Sequence, residues 1–180
     1  MAKLSKDFKE SIKKLSETEK EKIIFKFATK HQAIYEQLSM LYLKEKAEEN
    51  FMEITRQKIS DHLNYFEGKN PQQALSKAIT LAIREITALK KITKNKTQEI
   101  ELGIFLLETV FIKYGEYFGT NYRTLDTKVA NFIDKTITLI YEHGENELIH
   151  DYKVSMDRFL EFIKQTSNFV DAVYALPKHL

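Results

Sequence analysis

One short segment has the spacing of a metal-ligating helix, Glu147-Leu148-Ile149-His150. Residues three apart share a helix face, and di-iron bundles use Glu-x-x-His in this way, but they need two such pairs and two further glutamates. This chain has one pair. Glu147 and His150 also lie roughly 140–160° from the apolar stripe of their predicted helix, which centres between Ile149 and Tyr152. We therefore interpret the segment as a solvent-facing acidic helix start and predict no metal site there.

Three other histidines lie on or beside the apolar stripes of three different predicted helices. His31 and His143 fall within stripes, and His62 falls at a stripe edge. Neutral imidazoles from three helices could bind one metal ion, so a metal-dependent helical-bundle enzyme is an alternative function. No two histidines stand four residues apart, as they do in helical-bundle hydrolases of this kind. We prefer the interpretation in which a hydrogen bond to a carbonyl or carboxylate satisfies each histidine.

Glu108 is the one acid in the most apolar stretch of the sequence, residues 102–112. A desolvated carboxylate can be tuned for proton transfer, and it would join the histidines if they converged. The simpler interpretation, which we prefer, is a salt bridge or hydrogen bond to a Lys, Arg or Tyr of a neighbouring helix.

An aromatic segment is the strongest candidate for a binding site. Residues 114–123 (YGEYFGTNYR) contain three tyrosines, a phenylalanine and an arginine around two glycines. Tyr and Arg are enriched in binding hot spots, and loops held by rigid elements often carry function. We predict that Tyr117, Tyr122 and Arg123 form a surface for a partner or ligand. The alternative is that these aromatic side chains close one end of the bundle.

Lysines gather near the end of one predicted helix, at Lys90, Lys91, Lys94 and Lys96. The helix dipole favours cations there, and few aromatic residues lie among them to stack on bases. The formal net charge is only +2, which is small for a nucleic-acid-binding protein. Weak nucleic-acid contact is therefore a third hypothesis, and one that the sequence does not favour.

Composition excludes several other classes of site. The chain has no cysteine, so disulfides and thiolate metal sites are excluded. The sequence shows no glycine-rich phosphate loop, nucleophile elbow or Ser/His/Asp arrangement. No apolar run approaches 18 residues, and the first 15 residues lack the continuous apolar region of a signal peptide. We expect a cytoplasmic protein without membrane contact, metal or cofactor.

The elements that must position these residues are helices. The 180 residues include only two prolines and five glycines, and apolar residues recur every three to four positions from Phe8 to Val173. This pattern predicts six or seven helices and no strand. The length fits a single domain, residues 1–180. Short connections favour an all-α antiparallel bundle, and an irregular superhelical stack of helix pairs is the alternative.

Several helix boundaries can be predicted from capping signals. Ser5 is expected to cap a short first helix, and residues 16–19 (SETE) have the capping-box pattern. A break is expected near residues 44–50. Residues 67–71 (EGKNP) predict a stop capped by the glycine and a restart at the Asn-Pro pair. Residues 98–118 form the most apolar helix, which we place at the centre of the fold.

These patterns together predict a non-enzymatic helical interaction or scaffold domain, with self-association as one form of that interaction. Its positive support is apolar side chains outside the core stripes, at Phe105, Ile112, Tyr117 and Tyr122. The partner is expected to be a protein or a second copy of the chain. The sequence identifies no small-molecule ligand.

Overall fold

A computed structural model describes residues 5–143 and 146–180, with the side chains of residues 40, 44–48 and 146–148 left out. These residues contain helices and no strand, which confirms the predicted all-α bundle. The helices are α1 (Lys6–Lys13), α2 (Glu17–Lys30), α3 (Gln32–Tyr42), α4 (Lys44–Asn64), α5 (Pro71–Thr93), α6 (Lys96–Tyr114), α7 (Arg123–His143), α8 (Asn146–Thr166) and α9 (Asp171–Tyr174), with a 3₁₀ turn over Gly115–Tyr117.

Contacts between residues divide the chain into two compact units, residues 1–48 and residues 49–180. In the first unit, α2 and α3 pack against each other. In the second, α6 contacts α5, α7 and α8, and α9 contacts α7 and α8. A single domain over residues 1–180 stays a prediction.

The predicted capping signals determine several helix starts. The Ser5 hydroxyl accepts a hydrogen bond from the amide of Phe8 and thereby caps α1. The Ser16 hydroxyl accepts from the Glu19 amide, and the Glu19 carboxylate accepts from the Ser16 amide at 2.9 Å, which completes the capping box of α2. The Asn70 side chain caps α5, which begins with a proline. These first-turn donors would otherwise have no partner within the helix.

The break expected near residues 44–50 is found at Leu43, directly before α4. Two other boundaries differ from the predictions. The glycine of residues 67–71 is not a helix cap, because α4 already ends at Asn64. A further break, at His31, was not predicted. Both backbone groups of His31 are paired there, since its amide donates to the Phe27 carbonyl and its carbonyl accepts from Ile34.

The core of the second unit is built around α6. Five of its apolar side chains are almost fully buried: Ile100, Leu102, Leu106, Leu107 and Val110. Gly103 allows a close approach to α7, since a Cβ atom there would lie 3.3 Å from the Thr136 hydroxyl oxygen. A helix that is apolar on most sides must be surrounded by others, so the predicted central position of α6 is confirmed.

No helix among the described residues is long and apolar enough to cross a lipid bilayer.

The central position of α6 can be tested with two isoleucines on the same helix. We expect Ile100→Ala to lower the free energy of unfolding by about 2–5 kcal/mol, because it removes buried methyl groups and leaves a cavity. Ile112 is 76% exposed, so Ile112→Ala should change that energy by less than about 0.5 kcal/mol. Urea unfolding followed by circular dichroism measures both values. Equal losses would contradict this placement of the core.

Candidate functional site

The histidines do not form a site. His31 was predicted within an apolar stripe, and this is wrong: the break between α2 and α3 leaves it exposed, stacked on Phe27. His143 was also predicted on a stripe but is exposed in the last turn of α7. His62 is half-buried, with its Nε2 atom 3.5 Å from Glu85 Oε1. Within the described residues, no three acidic or histidine side chains are arranged to hold a metal ion.

The two remaining candidates are the Glu147–His150 segment and Glu108. His150 is exposed, as predicted, whereas the side chain of Glu147 lies outside the part of the chain that the structure describes. Glu108 is half-buried on α6 and accepts a hydrogen bond from the Ser155 hydroxyl of α8 at 3.1 Å. The expected hydrogen bond to a neighbouring helix is thus confirmed, although its donor is a serine and not a Lys, Arg or Tyr.

The first half of the aromatic segment is engaged with the rest of the second unit. The Tyr114 hydroxyl donates to the Leu63 carbonyl at 2.8 Å, and the Tyr114 ring stacks on Tyr117 and meets Phe66 edge-on. Burial raises the pKa of Tyr114, and the nearby Tyr117 raises it further. Tyr117 is therefore half-buried: one side of its ring packs against Tyr114 at the end of α6, and the rest is open to solvent.

The second half of the segment is more accessible. Arg123 is exposed, and its guanidinium carbon lies 5.4 Å from the centre of the Phe169 ring, at a cation–π distance. Tyr122 is half-buried and lines an open depression of about 380 Å³ together with Thr120 and Asn121 of the same loop and with Asn70 and Gln72. Tyr117 and Arg123 do not line this depression. A common partner surface for Tyr117, Tyr122 and Arg123 stays a prediction.

A buried acid that was not predicted from the sequence anchors this loop. Asp126, in the first turn of α7, is fully buried, and its Oδ1 atom accepts hydrogen bonds from the Gly119 amide and the Ser167 hydroxyl. Gly119 has a φ of +68°, and a Cβ atom there would lie 2.4 Å from the Thr166 carbonyl oxygen. The carboxylate therefore ties the loop to the end of α8, where only glycine fits.

A second buried acid accounts for part of the predicted lysine cluster. The Glu99 side chain is 3% exposed and lies 2.9 Å from Lys90 Nζ, 3.6 Å from Lys96 Nζ and 3.8 Å from Lys135 Nζ. The hydrogen bond to Glu99 raises the pKa of Lys90. Two of the four lysines considered for nucleic-acid contact thus compensate a buried charge of the same unit, which leaves fewer free cations than the sequence suggests.

The first unit is unusual because its helices bury almost none of their apolar side chains. Among the described side chains of α1–α3, Ser39 alone is buried. We call the exposed apolar side chains of residues 5–43 the N-terminal apolar surface; its members are Phe8, Ile24, Phe25, Phe27, Tyr35, Leu41, Tyr42 and Leu43. An open groove of about 510 Å³ lies on this unit, between the end of α2 and the start of α3.

The N-terminal apolar surface was not predicted, because helical spacing shows only that a face is apolar. In the sequence, Ile24, Phe27 and Tyr35 form a stripe that resembles the core stripes of the second unit. In the structure each is about half exposed. No pattern in the sequence distinguishes a stripe that packs within the chain from one that does not.

Comparison of the chain with protein-family models, with curated proteins and with solved structures found no match.

The role of Asp126 in anchoring the loop can be tested by removing its carboxylate. We expect Asp126→Ala to lower the free energy of unfolding by about 1–3 kcal/mol, because the Gly119 amide and the Ser167 hydroxyl lose their acceptor. Asp134→Ala, at an exposed position of the same helix, is the matched control and should have little effect. Hydrogen exchange at the Gly119 amide should accelerate in the first variant only. Unchanged exchange at this amide would show that Asp126 does not hold the loop.

Proposed function

We propose that this protein is a non-enzymatic helical interaction domain, and that α1–α3 bind a protein partner through the N-terminal apolar surface. The observation that carries the proposal is the exposure of this surface: Phe25 is 66% and Tyr42 78% exposed, and no described apolar side chain of α1–α3 is buried. Water contact with so many large apolar groups is unfavourable, so burial against a partner would stabilise the unit.

The summed exposed apolar area of these three helices is of the order that one partner buries in a specific interface. Five aromatic side chains of α1–α3 are between 46% and 78% exposed. Taking about 200 Å² for each aromatic side chain, they expose roughly 600 Å². Three aliphatic side chains add to this, at Ile24, Leu41 and Leu43. The total approaches the roughly 800 Å² that each partner buries in a standard protein interface.

The polar side chains of the second unit support a non-enzymatic role. Asp126 holds a loop, Glu99 is surrounded by lysines and Glu108 is bonded to a serine. Each of these acids thus has a structural partner, as expected for groups that stabilise a fold. The proposal keeps the cytoplasmic location expected from the sequence, since a chain without cysteine suits a reducing compartment. Tyr122 and Arg123 are the second contact region that we propose.

A photo-crosslinking amino acid placed in the full chain tests this function. Benzoylphenylalanine at Phe25 should form a covalent adduct of defined mass in cells that produce the protein, because that side chain would lie against the partner. The same amino acid at Tyr141, which is 59% exposed in the second unit, is the matched control and should give at least about fivefold less adduct. Mass spectrometry identifies the crosslinked chain. Absence of any protein adduct at position 25, or equal yields at both positions, would contradict the proposal.

A further inference from the structure

We infer that the partner of the N-terminal apolar surface is a second copy of this chain, bound so that the two α2–α3 pairs run antiparallel around a twofold axis. This inference rests on the proposed function, since it names the partner of the same surface. A twofold interface is isologous, which means that each copy contributes the same residues. The surface must therefore be complementary to itself in shape and in charge.

The charge of α2 and α3 suits a protein surface better than an anionic one. The two helices carry four lysines, at positions 20, 22, 26 and 30, and four glutamates, at positions 17, 19, 21 and 36. A lipid headgroup surface or a nucleic acid would be attracted by a clear excess of lysine and arginine. Residues 5–43 as a whole carry eight lysines and six acids, so it is α2 and α3, and not α1, whose balanced charge suits another protein segment of the same composition.

The charges of α2 are distributed unevenly along its length, and this favours one orientation. Residues 17–23 carry three glutamates and two lysines, whereas residues 24–30 carry two lysines and no acid. Antiparallel pairing places the acidic half of one α2 near the basic half of the other, twice in each dimer. Parallel pairing would place like charges together. The helix dipoles favour the same antiparallel arrangement.

The shape of the unit favours this orientation as well. The groove is lined by Phe25, Ala28, Thr29, Gln32 and Tyr35, where α2 ends and α3 begins. The most exposed members of the N-terminal apolar surface, Leu41 and Tyr42, lie at the other end of α3. An antiparallel twofold arrangement brings the Leu41–Tyr42 end of each copy to the groove of the other. The grooves would then be filled by apolar side chains that are otherwise in water.

Charge-reversal variants of the full chain test the pairing by sedimentation equilibrium at low salt. We expect the natural chain to dimerise, and Lys26→Glu/Lys30→Glu to dimerise about tenfold more weakly, because acidic halves then face each other. Glu17→Lys/Glu21→Lys should weaken dimerisation similarly. The dimer dissociation constant of the chain with all four changes should return to within about threefold of that of the natural chain. In that chain the charges of both halves of α2 are reversed, so antiparallel pairing again places opposite charges together.

Two controls separate charge pairing from loss of structure. Lys77→Glu/Arg84→Glu reverses two exposed charges on α5 and changes the net charge by the same amount as the first variant, so it should leave dimerisation unchanged. Leu41→Ser/Tyr42→Ser should abolish dimerisation without loss of helical circular dichroism, since both side chains are exposed.

Three results would overturn the inference. The first is a natural chain that stays monomeric up to about 0.2 mM, far above the micromolar dissociation constants expected of an interface of this size. The second is that the chain with all four changes dimerises as weakly as the chains that carry either pair of changes alone. The third is sedimentation of the monomer with phosphatidylserine-containing vesicles. If position 25 crosslinks to a different protein while the chain stays monomeric, the proposed function stands and the second copy is rejected. If position 25 crosslinks to no protein, both the proposed function and the second copy are rejected.

Discussion

The burial of α6 is the constraint on which the second unit depends. This helix has apolar side chains on most of its circumference, so no single neighbour can remove them all from water. It is covered by α5, α7 and α8, each of which contributes one apolar stripe. Gly103 permits a close approach of α6 to Thr136 of α7. Burial of α6 therefore requires that these three helices pack around it.

Close packing around α6 also determines which polar side chains the unit tolerates. Lys128 is held between α5 and α7, where its ammonium group donates to the Ser76 carbonyl and the Thr80 hydroxyl. Burial lowers the pKa of Lys128. Asp126 and Glu99 are likewise held by specific donors or cations, because an unpaired charge would be costly at this depth. These three polar side chains therefore join helices and loops of the second unit.

Local features of the fold could be predicted from the sequence, and long-range pairings could not. The caps of α1 and α2 depend on side chains three residues from their partners, so Ser5 and the Ser16–Glu19 box are visible in the chain. The contact of Asp126 with Ser167 spans 41 residues and joins the start of α7 to the residue that follows α8. The pairing of Glu99 with Lys135 is similarly remote. Such contacts depend on the arrangement of helices, which helical spacing does not specify.

The two units differ in how far they bury the apolar faces of their helices. Both contain amphipathic helices, and the stripes of the second unit are buried against one another. In the first unit α2 packs against α3, and two helices cannot cover both faces of each other. The large side chains on the uncovered faces include Phe25 and Tyr42. In the association that we propose, another surface would cover these residues and stabilise the unit, so association and folding of this unit would be energetically coupled.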